Sequence, residues 1–232
     1  MAKRPVFVSN KNKIDYQTFE LEFKWFPGYA KSQKQKSIRS LHDSAIENYN
    51  LKNILEVSSK SEKSIGVQLS AFNIRIKHND LGFIPLECAF QGSKIFQNLG
   101  QVKDFYEMNP YKIKKDPRLK ESGPIIGFKF NNVEFENKPI TFFYNWLYIN
   151  AVNQNNELSK EIIKFDAFTD IEFNPKKSIN CQAKACALYV NLYKLGKLQE
   201  CISNVQFFKE LMSQIDRKDT SGYFNAQFKI NF

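Results

Sequence analysis

The sequence predicts an α+β fold, a helix-rich single domain over residues 1–232 with short strands near both termini. Apolar residues recur at every second position near each end and at helical spacing in the segments between. The two kinds of segment do not alternate regularly, so a doubly wound parallel sheet is not favoured. The 232 residues include 22 Phe, 10 Tyr and 2 Trp, and this supply of aromatic surface to bury excludes a disordered chain.

Four elements are predicted in the first hundred residues. Apolar and charged residues alternate over 18–26, which predicts a half-buried strand, and Pro27-Gly28 ends it. Apolar residues at helical spacing predict a helix over 37–49. The apolar segment at 53–58 has the length of a short strand. A helical pattern covers 85–97, and the proline that opens it suits the first turn of a helix.

The rest of the chain contains a hairpin, three helices and a closing strand. Residues 126–136 alternate on both sides of Asn131-Asn132, which predicts a β-hairpin. Gly196 follows a helical pattern directly and can adopt the left-handed backbone that ends many helices. The three helices and the closing strand are predicted at 141–152, 178–195, 198–215 and 223–232.

The charge balance indicates an anionic partner. Lysine and arginine number 34 against 24 aspartate and glutamate, which gives a net charge of +10 and an isoelectric point near 9.3. A nucleic acid or a nucleotide diphosphate has the matching chemistry. Excess lysine on a solvated face is the alternative explanation of the same count.

Several classes of protein lose support because their signatures are absent. The longest apolar runs fall far short of the roughly 20 residues that span a bilayer, and the amino terminus lacks the apolar core of a signal peptide. Two histidines and four cysteines without CxxC or HExxH spacing do not favour a zinc site, so no metal or cofactor is expected. The cysteines are expected to be buried, reduced thiols in the cytoplasm. No P-loop, GxGxxG or GxSxG motif is present.

One predicted helix contains a set of side chains with catalytic potential. Glu87, Phe90 or Gln91, and Lys94 follow each other at helical spacing, so on a helix over 85–97 they share one face. A carboxylate and an amine about two turns apart can act as acid/base and as nucleophile or electrostatic anchor. The alternative is that Phe90 belongs to the core while Glu87 and Lys94 reach solvent.

A basic stretch from Lys24 to Arg39 contains no acidic residue and includes Trp25, Lys36 and further aromatic and basic side chains. Such a mixture suits stacking on a base and neutralising phosphates. The alternative is a solvated loop before a helix, with Trp25 in the core. A second basic cluster over 111–120 can follow a DNA backbone or form an ordinary surface loop.

Two motifs in the segment Gly66 to Phe96 resemble the signature of the NADAR family, the YbiA-like N-glycosidases. Gly66, Leu69, Ser70 and Phe72 match the element Gly-x-x-Leu-Ser-Asn-Phe, with Ala71 in place of Asn. The second element is Ser-x-Glu-His-x-Phe-Gln-Ala-x-Lys-Phe, in which Cys88 replaces His and Gly92 replaces Ala. Its matching residues are Glu87, Phe90, Gln91, Lys94 and Phe96.

A weaker match lies downstream. The segment FDAFTDIEF, residues 165–173, is similar to the family's Asn-Asp-Ala-Tyr/Trp segment, which carries an acidic site residue. The resemblance implies Asp166 in that role, with Asp170 as the rival. Asn180 stands where the family has Lys-Asn before a helix. Together with Ser70, Phe72, Phe90 and Gln91, it is implied to bind substrate.

The resemblance over most of residues 20–195 is to the NADAR branch of antitoxins associated with DarT-type DNA ADP-ribosyltransferase toxins. It implies the YbiA-like fold and hydrolysis of the bond between ADP-ribose and a guanine amino group in single-stranded DNA. A cognate toxin is the implied protein partner. Glu87 is then an acid/base, Asp166 or Asp170 orients the ribose, and Lys94 either forms a Schiff base or anchors the substrate.

Three other functions are compatible with these residues. An N-glycosidase of the same family can act on a small phosphoribosylamine metabolite, in which case the basic stretches are dispensable and activity is insensitive to salt. A non-catalytic module that binds ADP-ribose or nucleic acid needs no complete Glu87 and Lys94 pair. An interaction protein can neutralise a toxin by contact alone.

Overall fold

The structure is a computed structural model that describes residues 1–113 and 115–223, with side chains described up to residue 215. The strands in these residues are β1 Ala2–Ser9, β2 Tyr16–Phe23, β3 Ile54–Glu56, β4 Arg75–His78, β5 Gly82–Pro85, β6 Lys94–Phe96, β7 Gly100–Gln101, β8 Ile125–Phe130, β9 Val133–Glu136 and β10 Ala167–Thr169. The α-helices are α1 Lys31–Tyr49, α2 Ser64–Gln68, α3 Leu86–Gly92, α4 Pro110–Ile113, α5 Phe142–Asn153, α6 Asn156–Ile162, α7 Gln182–Lys194, α8 Leu198–Ser203 and α9 Val205–Tyr223. Short 3₁₀ helices occupy Lys103–Tyr106 and Pro117–Glu121.

The predicted α+β class is confirmed, because helices and small sheets occur together without regular alternation. The described residues fall into two compact units. The first combines residues 1–73 with 155–199, and the second combines 74–154 with the chain from residue 200. That residues 1–232 form one domain stays a prediction.

The first unit is built on a sheet with the strand order β2, β1, β10, β3. Strands β1 and β2 are antiparallel along their whole length, and β10 runs antiparallel to β1. Strand β10 is parallel to β3 and pairs Thr169 with Glu56. Helix α1 covers the sheet and closes a core with it. The buried residues of that core are Val6, Leu21, Phe23, Ile38, Leu41, Ala45, Ile54, Ala167 and Ile171.

The second unit contains the β4–β5 hairpin and an antiparallel sheet in the order β7, β6, β8, β9. The predicted hairpin over 126–136 is confirmed as β8 and β9. Asn131 and Asn132 both have positive φ, which is the backbone that a tight two-residue hairpin turn needs. Helix α3 and the segments after it enclose a core of Cys88, Phe96, Val102, Phe105, Ile113 and Leu119.

Other predicted elements exist with different limits. The strand predicted over 18–26 is β2, which ends at Phe23, so Trp25 lies just outside it. Helix α1 begins at Lys31, six residues before the predicted start, and α7 begins at Gln182, four residues after its predicted start. The predicted helix over 141–152 is confirmed as α5. Gly196 has a φ of +66°, as expected of the residue that ends α7.

Two predicted helices are corrected. The helix expected over 85–97 ends at Gly92, and Lys94 already belongs to strand β6. The helix expected over 198–215 is two helices, because Asn204 interrupts it and accepts a hydrogen bond from the backbone N–H of Phe207 as a cap of α9. The closing strand was expected over 223–232, but Tyr223 ends α9 and residues 224–232 lie outside the described residues.

Candidate functional site

Glu87 lies in the first turn of α3 and is buried, with 7% of its surface exposed. Its Oε1 accepts a hydrogen bond of 3.0 Å from Nε2 of Gln91, one helical turn further on. Gln91 is also buried. A carboxylate in this setting has a fixed orientation, because the amide holds one oxygen in place.

Lys94 reaches this region from a strand and not from the helix. It opens β6, where it pairs with Phe128 of β8, and its Nζ lies 4.9 Å from the centre of the Phe90 ring. The Phe90 ring in turn stacks with Phe128 and meets the edge of Tyr144 at 5.1 Å. The expectation that Glu87, Phe90 or Gln91, and Lys94 share one helical face is therefore wrong.

Helix α3 ends at Gly92, against which a tyrosine ring packs. A Cβ at this position would lie 2.5 Å from the ring of Tyr106, so only glycine lets the ring pack against the helix end. The Tyr106 hydroxyl is held by Ser93 and by the backbone oxygen of Lys129. Lys94 thus follows a helix end that a buried tyrosine fixes.

Asp166 is part of the first unit and is partly exposed. Its Oδ1 accepts a 2.7 Å hydrogen bond from Nζ of Lys194, and its Oδ2 accepts one from Nδ2 of Asn53. Burial works to raise the pKa of Asp166, but the Lys194 and Asn53 bonds and the lysine charge outweigh it, so the pKa is lowered. These contacts are those of an ionised carboxylate that joins α7 to the sheet.

Asp170 follows β10 directly and has the opposite environment. It is 8% exposed, and its Oδ1 accepts hydrogen bonds from the backbone N–H groups of Glu172 and Phe173. Burial and the negative charge of Glu56 raise the pKa of Asp170 well above its usual range. Of the two rival aspartates, Asp170 has the environment that keeps a carboxyl group protonated.

Glu56 was not among the residues singled out from the sequence. It is 3% exposed and lies between Leu55 and Val57 in a short apolar strand, and a carboxylate in such a segment was the only available signal. One of its partners, Ser58, is two residues away, but the other two are Thr169 of β10 and Ile171, the residue after Asp170, which are far away in sequence. Gly66, the first residue of the family motif, packs directly on it, since a Cβ there would lie 2.0 Å from the backbone oxygen of Glu56.

The remaining residues of the two motifs are placed in the first unit. Ser70 is buried and donates to the backbone oxygen of Val67 at 2.8 Å, while Phe72 is half-buried. The side chain of Gln182 links this turn to β3, because it accepts from Ala71 N and donates to the backbone oxygen of Val57. Asn180 is half-buried, and its Oδ1 has no hydrogen-bond partner in the part of the chain that the structure describes.

The basic stretch spans the end of β2, a loop and the first turns of α1. Trp25 packs against the core of the first unit, with Nζ of Lys34 4.6 Å from its ring centre. Lys34 also lies 3.4 Å from Glu172. Arg39 pairs with Glu62 at 2.6 Å, and Lys36 is exposed. Tyr29 is fully exposed, so it is the aromatic ring of the stretch that is most accessible to a base.

The second basic cluster is partly neutralised within the chain. Arg118 donates to both Asp104 and Asp116 at 2.8 Å. Lys112 and Lys120 are exposed, and Lys114 lies outside the described residues. Arg118 is therefore engaged in a local ion-pair network at the surface.

The four cysteines are free and buried, as expected. The thiol of Cys88, which replaces the histidine of the family motif, donates to the backbone oxygen of Met108 at 3.2 Å. Burial raises its pKa to about 11, and the charge of Glu87 adds to this effect. Cys88 is thus a neutral core residue. Among the described residues, no helix has the length and apolar character needed to cross a membrane.

The α+β fold and the motif residues Glu87, Gln91 and Lys94 at a helix–strand junction agree with a protein of the NADAR class. The chain belongs to the family of DarT1-associated NADAR antitoxins, whose family model matches residues 2–222. The antitoxin role and the association with a DarT1 toxin are thus properties of its family. No curated protein matches the chain.

Proposed function

We propose that the protein is a DNA ADP-ribosyl glycohydrolase that removes ADP-ribose from guanine bases and so reverses the modification made by its toxin. The observation that carries this proposal is the buried Glu87 carboxylate, which Gln91 orients and which lies in one motif with the amine of Lys94. A protein that neutralises a toxin by contact alone has no need of a buried, oriented carboxylate.

The chemistry requires the C–N bond between ribose and the guanine amino group to break. The bonding electron pair stays with nitrogen, which takes up a proton, while water supplies a hydroxyl to the anomeric carbon and gives up a proton. Glu87 can donate the first proton as an acid and accept the second as a base. ADP-ribose and unmodified guanine are the products.

Lys94 has two possible roles in this reaction. In the covalent route its neutral amine attacks the anomeric carbon and displaces the guanine amino group, which leaves with the bonding electron pair and takes a proton from Glu87. The lysine nitrogen then loses a proton, and its lone pair opens the ribose ring, whose oxygen takes up a proton. Water hydrolyses the resulting Schiff base and releases ADP-ribose and Lys94. In the direct route its ammonium group anchors the phosphates or the ribose while Glu87 activates water. Borohydride during turnover distinguishes them, because only the covalent route gives a reduced adduct on Lys94.

Asp170 is the aspartate that we assign to the ribose, in preference to Asp166. Both carboxylate oxygens of Asp166 accept hydrogen bonds, one from Lys194 and one from Asn53. In Asp170 both backbone donors bind Oδ1, so neither of them occupies Oδ2. Asn180 is a second candidate for substrate contact, since its buried Oδ1 is unpartnered within the described residues.

The modified DNA strand is the proposed partner of the basic stretch. Lys31, Lys36 and the exposed ring of Tyr29 supply the charge and the stacking surface that single strands need. The reduced state of the four cysteines fits a cytoplasmic location, where such DNA is accessible.

The test incubates the protein with single-stranded oligonucleotides that carry ADP-ribose on guanine or, as a control, on thymine. We expect release of ADP-ribose from the guanine-linked substrate. Glu87→Gln and Lys94→Ala should each reduce release by at least about a hundredfold, while Lys164→Ala, an exposed lysine substitution, should not. Normal circular dichroism spectra of the variants would show that folding is unaffected.

The outcomes also separate the other candidate functions. Tight binding of the modified strand without release would indicate a binding module. Cleavage of phosphoribosylamines alone, at a rate insensitive to salt, would indicate a metabolite N-glycosidase. Full activity of both Glu87→Gln and Lys94→Ala would show that the proposed site is wrong.

A further inference from the structure

Glu56 is a buried carboxylate to which the proposed mechanism gives no part. It ends strand β3 on the sheet of the first unit and pairs with Thr169, the residue before Asp170. An ionised carboxylate without compensation is costly in such a place. Its contacts therefore show how the charge is accommodated.

Three hydrogens point at the Glu56 side chain. Oε1 accepts from the Ser58 hydroxyl at 2.6 Å and from the backbone N–H of Ile171 at 2.9 Å. Oε2 accepts from the Thr169 hydroxyl at 2.6 Å. Burial raises the pKa of Glu56, but both of its oxygens are occupied by donors, and these hydrogen bonds favour the ionised form.

His42 completes this arrangement from helix α1. Its Nε2 lies 2.9 Å from the Thr169 hydroxyl oxygen. Thr169 has one hydrogen and gives it to Glu56, so the Nε2–H of His42 must be the donor to Thr169. Burial and the charge of Lys63 lower the pKa of His42 to about 4, so the ring is neutral at pH 7 and this contact requires the tautomer with its hydrogen on Nε2.

Asp170 lies in the sequence between Thr169 and Ile171, the two residues whose hydroxyl and backbone N–H groups donate to Glu56. Its Oδ1 accepts from two backbone N–H groups, but none of these donors reaches Oδ2. Glu56 is paired with Thr169, the residue before Asp170, and its charge acts on Asp170. Two buried carboxylates that interact in this way do not ionise together. The one with fewer donors takes the proton, and by this count it is Asp170.

We propose that Glu56 is a positioning residue, the ionised member of this pair of carboxyl groups, and that it keeps a proton on Oδ2 of Asp170. Asp170 then presents an O–H donor to an oxygen of the substrate ribose instead of a negative charge. Only this catalytic consequence rests on the proposed function, since the location of the proton is a property of the free protein. No proton is gained or lost in the step, because Asp170 donates a hydrogen bond and keeps its hydrogen.

Other charged groups near this pair modify the effect without reversing it. Burial has the largest effect on the pKa of both Glu56 and Asp170, and the Glu172 carboxylate raises both further, although Lys34 partly neutralises it at 3.4 Å. Burial raises the pKa of Cys181, at the start of α7, well above its usual range, so its thiol is neutral. His42 is neutral and contributes orientation only. The charge of Glu56 therefore has a larger effect on Asp170 than the charge of Glu172.

The direct test is carboxyl ¹³C NMR of the free protein labelled in its Asp and Glu side chains. In the wild type we expect the signal of an Asp carboxyl group that stays protonated at pH values well above the ordinary pKa of an aspartate. This signal should be missing from the spectrum of Asp170→Asn. In Glu56→Gln this signal should titrate at least one pH unit lower, because the neighbouring charge is gone. Glu172→Gln is the matched control and should give a smaller shift.

Two NMR results would overturn the proposal. One is an Asp170 signal that titrates in the ordinary range, and the other is a protonated signal that belongs to a Glu. Both results can be observed in the titration of the wild type alone, so the proposal remains testable even if Glu56→Gln fails to fold.

The kinetic test measures kcat/KM for ADP-ribose release against pH. At acidic pH the kcat/KM of Glu56→Gln should match that of the wild type. At alkaline pH it should be at least about tenfold lower, because the pH at which kcat/KM begins to fall moves down by one unit or more. A uniform loss at all pH values would indicate a merely structural role and contradict the proposal. If the NMR result holds but the wild type releases no ADP-ribose, the proposed function fails while the proton assignment stands.

Discussion

Asp166 and Asp170 have the same side chain and lie on the same segment, yet their surroundings give them opposite chemistry. The Lys194 ammonium and the Asn53 amide stabilise a negative charge on Asp166. Asp170 has burial and a neighbouring carboxylate instead. From sequence both were possible site acids, because the contacts that separate them come from residues more than twenty positions away.

The first prediction concerns the pH dependence of stability at Asp170. Its pKa is raised in the folded state by burial and by Glu56, so the folded protein keeps a proton that the unfolded chain has already lost. The free energy of unfolding should therefore fall as the pH rises from about 4 towards the raised pKa. Asp170→Asn should remove this part of the fall, and urea unfolding at several pH values measures it.

Asp166→Asn is the matched control, with the opposite sign. The pKa of Asp166 is lowered in the folded state, so its charge stabilises the protein at pH values above the ordinary pKa of an aspartate. This stabilisation disappears on acidification. The Asn variant should be less stable than the wild type at neutral pH and similar to it in acid. An equal response of the two variants would contradict the assignment of opposite environments.

At the level of elements, local patterns were sufficient where the structure is local. The β8–β9 hairpin was predictable because alternation and the Asn131-Asn132 turn lie within one short segment. The surroundings of the α3 end were not, because there Tyr106 packs against Gly92 from fourteen residues away. Glu56 was missed for the same reason, since its donor Thr169 is 113 residues away and reaches it only through the parallel pairing of β3 and β10.

The second prediction concerns Gly92 and the junction between α3 and β6. Alanine is the better helix former, but its Cβ would lie 2.5 Å from a Tyr106 ring that several hydrogen bonds hold in place. Gly92→Ala should thus destabilise the protein by about 1–3 kcal/mol through overpacking. It should also reduce ADP-ribose release, because Lys94 follows two residues later. Thermal unfolding and the release assay measure both effects.

Gly82→Asn is the control for Gly92→Ala. Gly82 also lies in the second unit and has a φ of +70°, and a Cβ added there would meet nothing within 4 Å. Asparagine tolerates this backbone better than other residues with a side chain, so stability should change by less than about 1 kcal/mol. Unchanged stability of Gly92→Ala would show that the Tyr106 ring can move, and that it does not fix the helix end.

At the scale of the whole molecule, composition and pattern predicted the class but not the division of the chain. Irregular alternation of helix and strand was sufficient for α+β, and the two motifs were sufficient for the NADAR family. The two compact units each combine distant parts of the sequence. No composition shift or linker marks the points near residues 73, 154 and 199 where the chain passes from one unit to the other.

The last prediction concerns the net charge of +10 and where on the molecule it acts. Lys31 and Lys36 lie on the first turns of α1 and are exposed, whereas Lys34 is engaged with Glu172 and Trp25. If the first two contact phosphates, each releases counterions on binding a single strand. The double variant Lys31→Gln/Lys36→Gln should then bind the modified oligonucleotide more weakly and lower the salt slope of log Kd by about 1.4.

The control for this prediction removes the same charge elsewhere. Lys112→Gln/Lys120→Gln changes two exposed lysines of the second basic cluster, and its salt slope should stay at the wild-type value. Fluorescence anisotropy at four or more salt concentrations measures both slopes. Equal losses in the two double variants would mean that the charge attracts DNA only through its total, whereas a loss confined to the α1 variant would locate the strand on that helix.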